Sequence, residues 1–270
     1  MKVKIENCSS PGASFTTNTD KVILKCNELI KESPKKNNKF SQFRRDLVEQ
    51  KGVNGNNARN IYPFLKNCGF VSYEAGAFLK YDDFFTKRGI AYVKTLEAIQ
   101  MLPAAEASDE NKKRAKEKLQ QIKEQIIFEG LKSLLRVPDS NYTQVYVSCL
   151  KYLLKYKKIN KVEFGYILYE KELHPAQNYL ENMHKNVETY RDGKLDIEVC
   201  VSIRNDIEVR RQTNQERRIE NISFLTAFSY IIGTLQQGGI VTKIDYNYYV
   251  LKREQYNSAE DLIKGALVDD

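Results

Sequence analysis

Twice along this chain, a stretch with helical spacing of apolar residues ends at glycine and is followed at once by two short alternating segments. The first occurrence covers residues 57–67 and 70–81, and the second covers 220–237 and 240–251. Helices followed by a hairpin are the order of elements in a winged helix, a relative of the helix-turn-helix. The pattern therefore predicts a mainly α fold with short β-hairpins, built as tandem winged-helix (helix-turn-helix) subdomains. The two halves share this order without a strict sequence repeat.

The first half predicts three helices before its strand pair. Thr19 and Asp20 are candidate caps of the first helix, and a second helix follows from about Ser41. The third is predicted over 57–67, where Pro63 requires either a late start of the regular helix or a bend. The apolar positions expected to face inward are Val22, Leu24, Leu29 and Ile30 in the first helix, Phe43, Leu47 and Val48 in the second, and Ala58, Ile61, Leu65 and Cys68 in the third.

Gly69 is predicted to end the third helix. Two strands are then expected at 70–73 and 78–81, joined by a turn, and a further helix follows from Thr86. That helix is expected to turn Ile90, Val93, Leu96 and Ile99 inward.

These elements divide the chain into a first winged-helix DNA-binding subdomain (1–104), a charged connecting helix (105–137) and a second winged-helix subdomain with a helical insertion (138–270). Glu110 and Arg114 lie at the i,i+4 spacing of a helical ion pair, which favours a solvated connecting helix. In the second subdomain, Asn160 is a candidate helix cap and residues 245–247 are expected to join a hairpin.

The chain carries a net charge of +8 and a pI near 9.0. This balance favours a polyanionic partner, because each neutralised phosphate releases a counterion. An evenly solvated basic surface is the alternative. The 41% hydrophobic composition supports a packed core and argues against general disorder.

The five cysteines are an odd number without a CxxC pair, which favours reduced thiols in the cytoplasm over a disulfide framework. The first six residues lack the apolar core of a signal peptide. The most apolar stretch, 222–235, is shorter than the ~20 residues that span a bilayer. We therefore expect a cytoplasmic protein without a membrane partner.

No complete catalytic centre is evident. The only histidines, His174 and His184, have no cysteine at metal-ligand spacing, and no GxxxxGK[ST] loop is present. A nuclease centre needs clustered carboxylates on strands. Asp139 precedes a predicted helix, Asp192 opens a turn, and Glu49 ends a helix. We expect no cofactor in this chain, with Mg²⁺ required only by a separate nuclease domain.

Two polar clusters are candidates for DNA recognition. Arginine pairs bidentately with guanine and asparagine with adenine in the major groove, although asparagine also favours capped turns. Acidic residues within the second cluster leave a solvated helix face as its alternative. The candidate residues are Asn56, Asn57, Arg59, Asn60 and Lys66 on the third helix and its entry turn, and Arg204, Arg210, Arg211, Asn214, Arg217 and Arg218 before the last long helix.

Several segments resemble the DNA-recognition region of type IIS restriction and nicking endonucleases, of the AlwI-like and FokI-like kind. They are FFTKRGIAY (84–92), SNYTQVYVSCLKYLL (140–154), INKVEFG (159–165), the arginine-rich stretch 204–218, FLTAFSYIIG (224–233) and IVTKIDYNYY (240–249). The resemblance implies winged-helix recognition of an asymmetric duplex site. In that family a separate PD-(D/E)xK domain cuts the DNA, and this sequence shows no such domain.

Two functions remain open from the sequence. The chain is either the target-recognition part of a type II (IIS) restriction or nicking endonuclease, partnered by a nuclease domain or subunit, or a winged-helix regulator of transcription or replication. A complete small nuclease is the enzymatic alternative.

Overall fold

The computed structural model describes residues 12–74, 76–137, 141–161, 163–165, 181, 185, 187–189, 191–192, 223–245 and 248–266. The chain is mainly helical, with two small antiparallel sheets. Its contacts divide it into two compact units. The first unit comprises 12–137 and 233–239, and the second comprises 1–11, 138–232 and 240–270.

The first unit contains five helices and one strand pair within its described residues. The helices are α1 (Thr17–Glu32), α2 (Phe40–Lys51), α3 (Gly55–Asn67), α4 (Lys87–Met101) and α5 (Asp109–Leu134), and the strands are β1 (Asn37–Lys39) and β2 (Phe78–Lys80). Short 3-10 turns cover Tyr81–Asp83 and Leu102–Ala104.

Helix α1 is capped earlier than the sequence suggests. Thr16 is the N-cap, and its hydroxyl accepts a hydrogen bond from the Thr19 amide at 3.2 Å. The prediction that Thr19 caps the helix is wrong, because its own hydroxyl is buried and donates to the Ser14 carbonyl. Ile23 and Cys26, rather than Leu24 and Ile30, complete the buried face with Val22 and Leu29.

Helix α3 begins at Gly55 and runs unbroken through Pro63, so a late start at this proline is excluded. Its end at Gly69 is confirmed. Gly69 has a φ of 70°, its amide donates to the Lys66 carbonyl, and the Phe70 amide donates to the Leu65 carbonyl. These two bonds form a Schellman motif, which satisfies carbonyls that the last turn leaves free.

The second strand of the first predicted hairpin pairs with a different segment from the one expected. Strand β2 pairs antiparallel with β1, with Asn37 opposite Lys80 and Lys39 opposite Phe78. The segment predicted as a strand at 70–73 makes only one bridge, between Val71 and Phe85. The expected pairing of 70–73 with 78–81 is therefore wrong, because β2 pairs with β1 and the backbone of 70–73 bonds to residues 84–86 instead.

The core of the first unit is strongly aromatic. Its fully buried rings include Phe15, Phe43, Tyr62, Phe64, Phe70, Tyr81, Phe84 and Tyr92, many of them in edge-to-face contact. Two residues expected in this core are exposed, Val48 at 40% and Ile90 at 43%. On α4 the predicted inward positions Val93 and Leu96 are confirmed, and Gly89 and Tyr92 are buried with them.

Helix α5 is exposed along its charged N-terminal half, where the predicted pair of Glu110 and Arg114 is present at 2.6 Å. Its C-terminal half packs in the first unit through Ile127, Leu131 and Leu134. Lys123 of α5 is buried and pairs with Asp20 at 2.6 Å.

The second unit carries a three-stranded sheet. Its described elements are α6 (Asn141–Tyr156), β3 (Lys158–Ile159), α7 (Ser223–Gln237, whose last turns belong to the first unit), β4 (Val241–Lys243), β5 (Tyr249–Leu251) and α8 (Tyr256–Gly265). The sheet order is β3-β5-β4, and all pairs are antiparallel. The predicted hairpin is confirmed, with Val241 opposite Leu251.

No helix in the described part of the chain combines the length and apolar character that crossing a bilayer requires.

Candidate nucleic-acid interface

Helices α2 and α3 of the first unit are joined by a turn of three residues, 52–54. Gly52 ends α2 in the left-handed conformation, with φ 61° and ψ 32°, which glycine adopts without steric cost. Val53 is buried, and its amide donates to the Leu47 carbonyl at 3.2 Å. The buried valine fixes the turn to α2, so the direction in which α3 leaves it is determined by packing.

One side of α3 is apolar and the other is basic. Ile61, Tyr62, Phe64 and Leu65 are buried, whereas Arg59, Pro63 and Lys66 are exposed. Arg59, Pro63 and Lys66 lie at i, i+4 and i+7, and we call them the α3 stripe. Residues at this spacing share one face of a helix, so the stripe is continuous.

The two cations of the α3 stripe have no counter-charge among the residues that the structure describes. Lys66 instead lies over the ring of Tyr73, with its Nζ 5.2 Å from the ring centroid. Some other basic residues of the unit form ion pairs, as Lys31 does with Glu97 and Lys51 with Glu32. Among the described residues, no carboxylate therefore neutralises the two positive charges of the α3 stripe.

Tyr73 connects the end of α3 to the start of α2. Its ring stacks on Phe40, with centroids 3.9 Å apart and planes 12° from parallel. Burial raises the pKa of Tyr73, and the nearby guanidinium of Arg44 opposes that rise. Arg44 and Lys66 therefore both lie near Tyr73.

The outer face of the β1/β2 pair is a second basic surface. The inward positions, Asn38 and Leu79, are more buried than their neighbours. Lys39, Phe78 and Lys80 all point to the outer side, and Phe78 is 67% exposed. Two exposed carboxylates, Asp82 and Asp83, follow β2 and reduce the charge of this face relative to the α3 stripe.

The C-terminal end of α3 is anchored by α4 and α5. Arg88 donates from Nη1 to the Cys68 carbonyl at 2.5 Å and to Ser133 Oγ at 2.8 Å. Thr86 donates to the Gly69 carbonyl at 2.7 Å while its Oγ1 accepts from the Gly89 amide, which caps α4. Two helices, α4 and α5, therefore hold the end of the helix that carries the stripe.

Only some of the predicted site residues lie in the part of the chain that the structure describes. Arg59, Asn60 and Lys66 are exposed on α3. Asn56 and Asn57 belong to the first turn of α3, but their side chains lie outside the described part. The six candidates of the second cluster, Arg204, Arg210, Arg211, Asn214, Arg217 and Arg218, lie outside the described residues. Sequence reasoning missed Lys39, Arg44 and Lys80, of which the lysines alternate with less exposed neighbours along short strands.

The second unit holds a buried ion pair. Asn160 and Glu163 form a reciprocal capping box, with the Glu163 amide donating to Asn160 Oδ1 at 2.8 Å and the Asn160 amide donating to Glu163 Oε2 at 3.0 Å. The predicted cap at Asn160 is thereby confirmed. Arg191 donates from Nε to the fully buried Glu163 carboxylate at 2.7 Å.

All these contacts give the Glu163–Arg191 pair a structural role. Burial lowers the pKa of Arg191, but the hydrogen bond to Glu163 and the charges of nearby acidic groups together outweigh this, so the pKa is raised. Arg191 also donates to the Lys158 carbonyl at 3.0 Å and so ties residue 191 to β3. A carboxylate occupied by a helix cap and a guanidinium is not available as a general base or metal ligand.

The described residues contain no group of three or more His, Cys, Asp or Glu side chains that could hold a metal ion. Of the carboxylates considered from the sequence, Glu49 is exposed on α2 and Asp192 is exposed, while Asp139 lies outside the described residues.

No family model, curated protein or solved structure matches this chain.

Proposed function

We propose that this chain binds double-stranded DNA in a sequence-specific manner, with α3 in the major groove. The observation that carries the proposal is the α3 stripe, a basic face without described counter-charges on a helix that follows a three-residue glycine turn. Two helices joined by such a turn are typical of the helix-turn-helix, whose second helix enters the major groove.

The order of elements supports the winged variant of this motif in both units. In the first unit β1 lies between α1 and α2 in sequence and pairs with β2 beyond α3. In the second unit β3 follows α6 and pairs with β5, which forms a hairpin with β4 directly after α7. Strands from before and after the helices thus close one small sheet in each unit, as in tandem winged-helix subdomains.

We further propose that the chain is the target-recognition part of a type II (IIS) restriction or nicking endonuclease. Cleavage, and the Mg²⁺ it requires, is supplied by a separate domain or subunit. The resemblance of six sequence segments to that family supports this role over that of a winged-helix regulator of transcription or replication. Footprint symmetry separates the two, since a regulator that binds as a dimer protects a palindrome whereas type IIS recognition is asymmetric.

Arg59 provides the test of sequence-specific binding. Duplexes that the protein binds are first selected from a random pool, and affinity for the selected duplex is then compared with affinity for unselected duplex. Arg59→Ala should lose about 1–3 kcal/mol on the selected duplex and relax the preference at a single base pair, because one bidentate contact to guanine is removed.

Arg114→Ala is the matched control, because Arg114 is an exposed arginine on α5 that already pairs with Glu110. It should bind the selected duplex as the parent does. If the parent selects no sequence, or if Arg59→Ala keeps the parent's preference at every base pair, then α3 is not the reading helix.

A further inference from the structure

Pro63 occupies the centre of the α3 stripe, and its presence there is not explained by the fold. Proline has no amide hydrogen, so it cannot donate to the Arg59 carbonyl, and its ring crowds the preceding turn. It is the least favourable residue in a helix interior. The flanking Tyr62 and Phe64 are buried in the core, but Pro63 itself is exposed. A residue that opposes the helix and adds nothing to the core points to a role on the surface.

The neighbours of Pro63 restrict that role. Arg59 lies one turn before it and Lys66 nearly one turn after it, both exposed and both without a described counter-charge. If α3 lies in the major groove, as proposed above, the ring of Pro63 faces base edges between two cations. The one apolar group that base edges present there is the C5-methyl of thymine.

We propose that Pro63 contacts a thymine methyl group and so selects an A·T pair within the target site. This inference rests on the proposed function, and it specifies a base pair in the DNA that α3 would contact. Arg59 and Pro63 are separated by about 6 Å along the helix axis. Successive base pairs are about 3.4 Å apart, so the thymine lies within one or two base pairs of the guanine contacted by Arg59.

Replacement of thymine by deoxyuridine tests the contact at the level of one methyl group. Each thymine of the selected duplex is replaced singly by deoxyuridine, and the dissociation constants of the parent and of Pro63→Ala are measured on every duplex. At one position the parent should bind deoxyuridine about three- to fivefold more weakly than thymine, the effect of losing one buried methyl group. Pro63→Ala should show a clearly smaller deoxyuridine effect, because it keeps only Cβ of the proline ring at this contact. Alanine favours the helix, so folding is preserved.

Lys66→Ala serves as the control, since it should weaken binding while retaining the parent's deoxyuridine effect. The inference is overturned if the selected site has no thymine, if no replacement affects the parent, or if Pro63→Ala retains the effect in full. The last result would mean that Pro63 acts only by shaping α3. In these cases selection of a sequence still supports DNA recognition, whereas a parent that selects no sequence overturns the proposed function itself.

Discussion

The buried carboxylate of Asp46, on α2, forms hydrogen bonds with residues next to both strands of the first unit. Its Oδ2 accepts a hydrogen bond from Tyr81 at 2.6 Å and pairs with Lys36 at 2.5 Å, and its Oδ1 accepts from Gln42 at 2.9 Å. Burial raises the pKa of Asp46, but the hydrogen bonds from Lys36, Tyr81 and Gln42 outweigh it, so the pKa lies below its ordinary value of 3.8. The carboxylate therefore fixes α2 to the strands beside it.

This network predicts a pH-dependent effect of Asp46→Asn on stability. A carboxyl with a lowered pKa in the folded state stabilises the fold above its unfolded pKa and loses that contribution as the pH falls through the folded pKa. At pH 7 the variant should lose about 1–3 kcal/mol of unfolding free energy, because buried donors lose a charged acceptor. Denaturant unfolding of both proteins should show this difference shrinking below the pKa of 3.8 that Asp46 has when unfolded.

Asp82→Asn is the control for this experiment, since Asp82 is exposed and close in sequence. It should change the unfolding free energy by no more than about 0.5 kcal/mol at any pH. A difference between the parent and Asp46→Asn that stays constant into the acid range would show that the charge of Asp46 does not stabilise the fold.

At the scale of secondary-structure elements, the position of α3 depends on the contacts made at its C-terminal end. Gly69 adopts a φ of 70°, and a Cβ at this position would lie 2.7 Å from Arg88 Nη1. Gly76 also has a positive φ, of 82°, but no atom lies within 4 Å of a Cβ built there. Both glycines therefore adopt a positive φ that disfavours other residues, but only Gly69 has a side chain close to where a Cβ would lie.

Gly69→Ala and Gly76→Ala should consequently differ in stability. Both should lose about 1–2 kcal/mol for placing alanine in the left-handed region. Gly69→Ala should lose about 1 kcal/mol more, because Arg88 must move away from the Cys68 carbonyl. Chemical denaturation of the two variants measures this difference, and equal losses would mean that Arg88 does not anchor α3.

The elements that local pattern controls were predictable from the sequence. The end of α3 at Gly69 and the hairpin of β4 and β5 follow from a glycine and from alternation across a short turn. Strand β1 was not predicted, because it is three polar residues long, and its pairing with β2 joins residues about forty positions apart. Such pairing depends on how α2 and α3, which separate the two strands in the sequence, pack in the fold, and no local pattern encodes this.

The same distinction applies to the candidate interface. Arg59 and Lys66 were predictable because they lie on the polar side of an amphipathic helix. Lys39 and Lys80 were not, since they become neighbours on one face only through the β1/β2 pairing. The stack of Phe40 on Tyr73, which brings Lys66 close to α2, likewise requires the tertiary fold.

At the scale of the whole molecule, the chain combines two compact units with a similar order of elements and a net charge of +8. Two recognition modules on one chain can contact a longer and asymmetric site than one module can, without the two-fold symmetry of a dimer. This organisation suits the proposed recognition part of an endonuclease, in which one protein molecule binds one asymmetric site.

The salt dependence of binding to duplex DNA tests the central claim, that the α3 stripe is the DNA-binding face, most directly. Fluorescence anisotropy titrations over a range of salt concentrations give the slope of log K against log[salt] for the parent, Lys66→Ala and Arg114→Ala. The parent should show a steep slope, Lys66→Ala a slope smaller by about one unit, and Arg114→Ala the parent's slope. Equal slopes for the parent and Lys66→Ala, with Arg114→Ala reduced, would place the DNA on α5 and contradict the account.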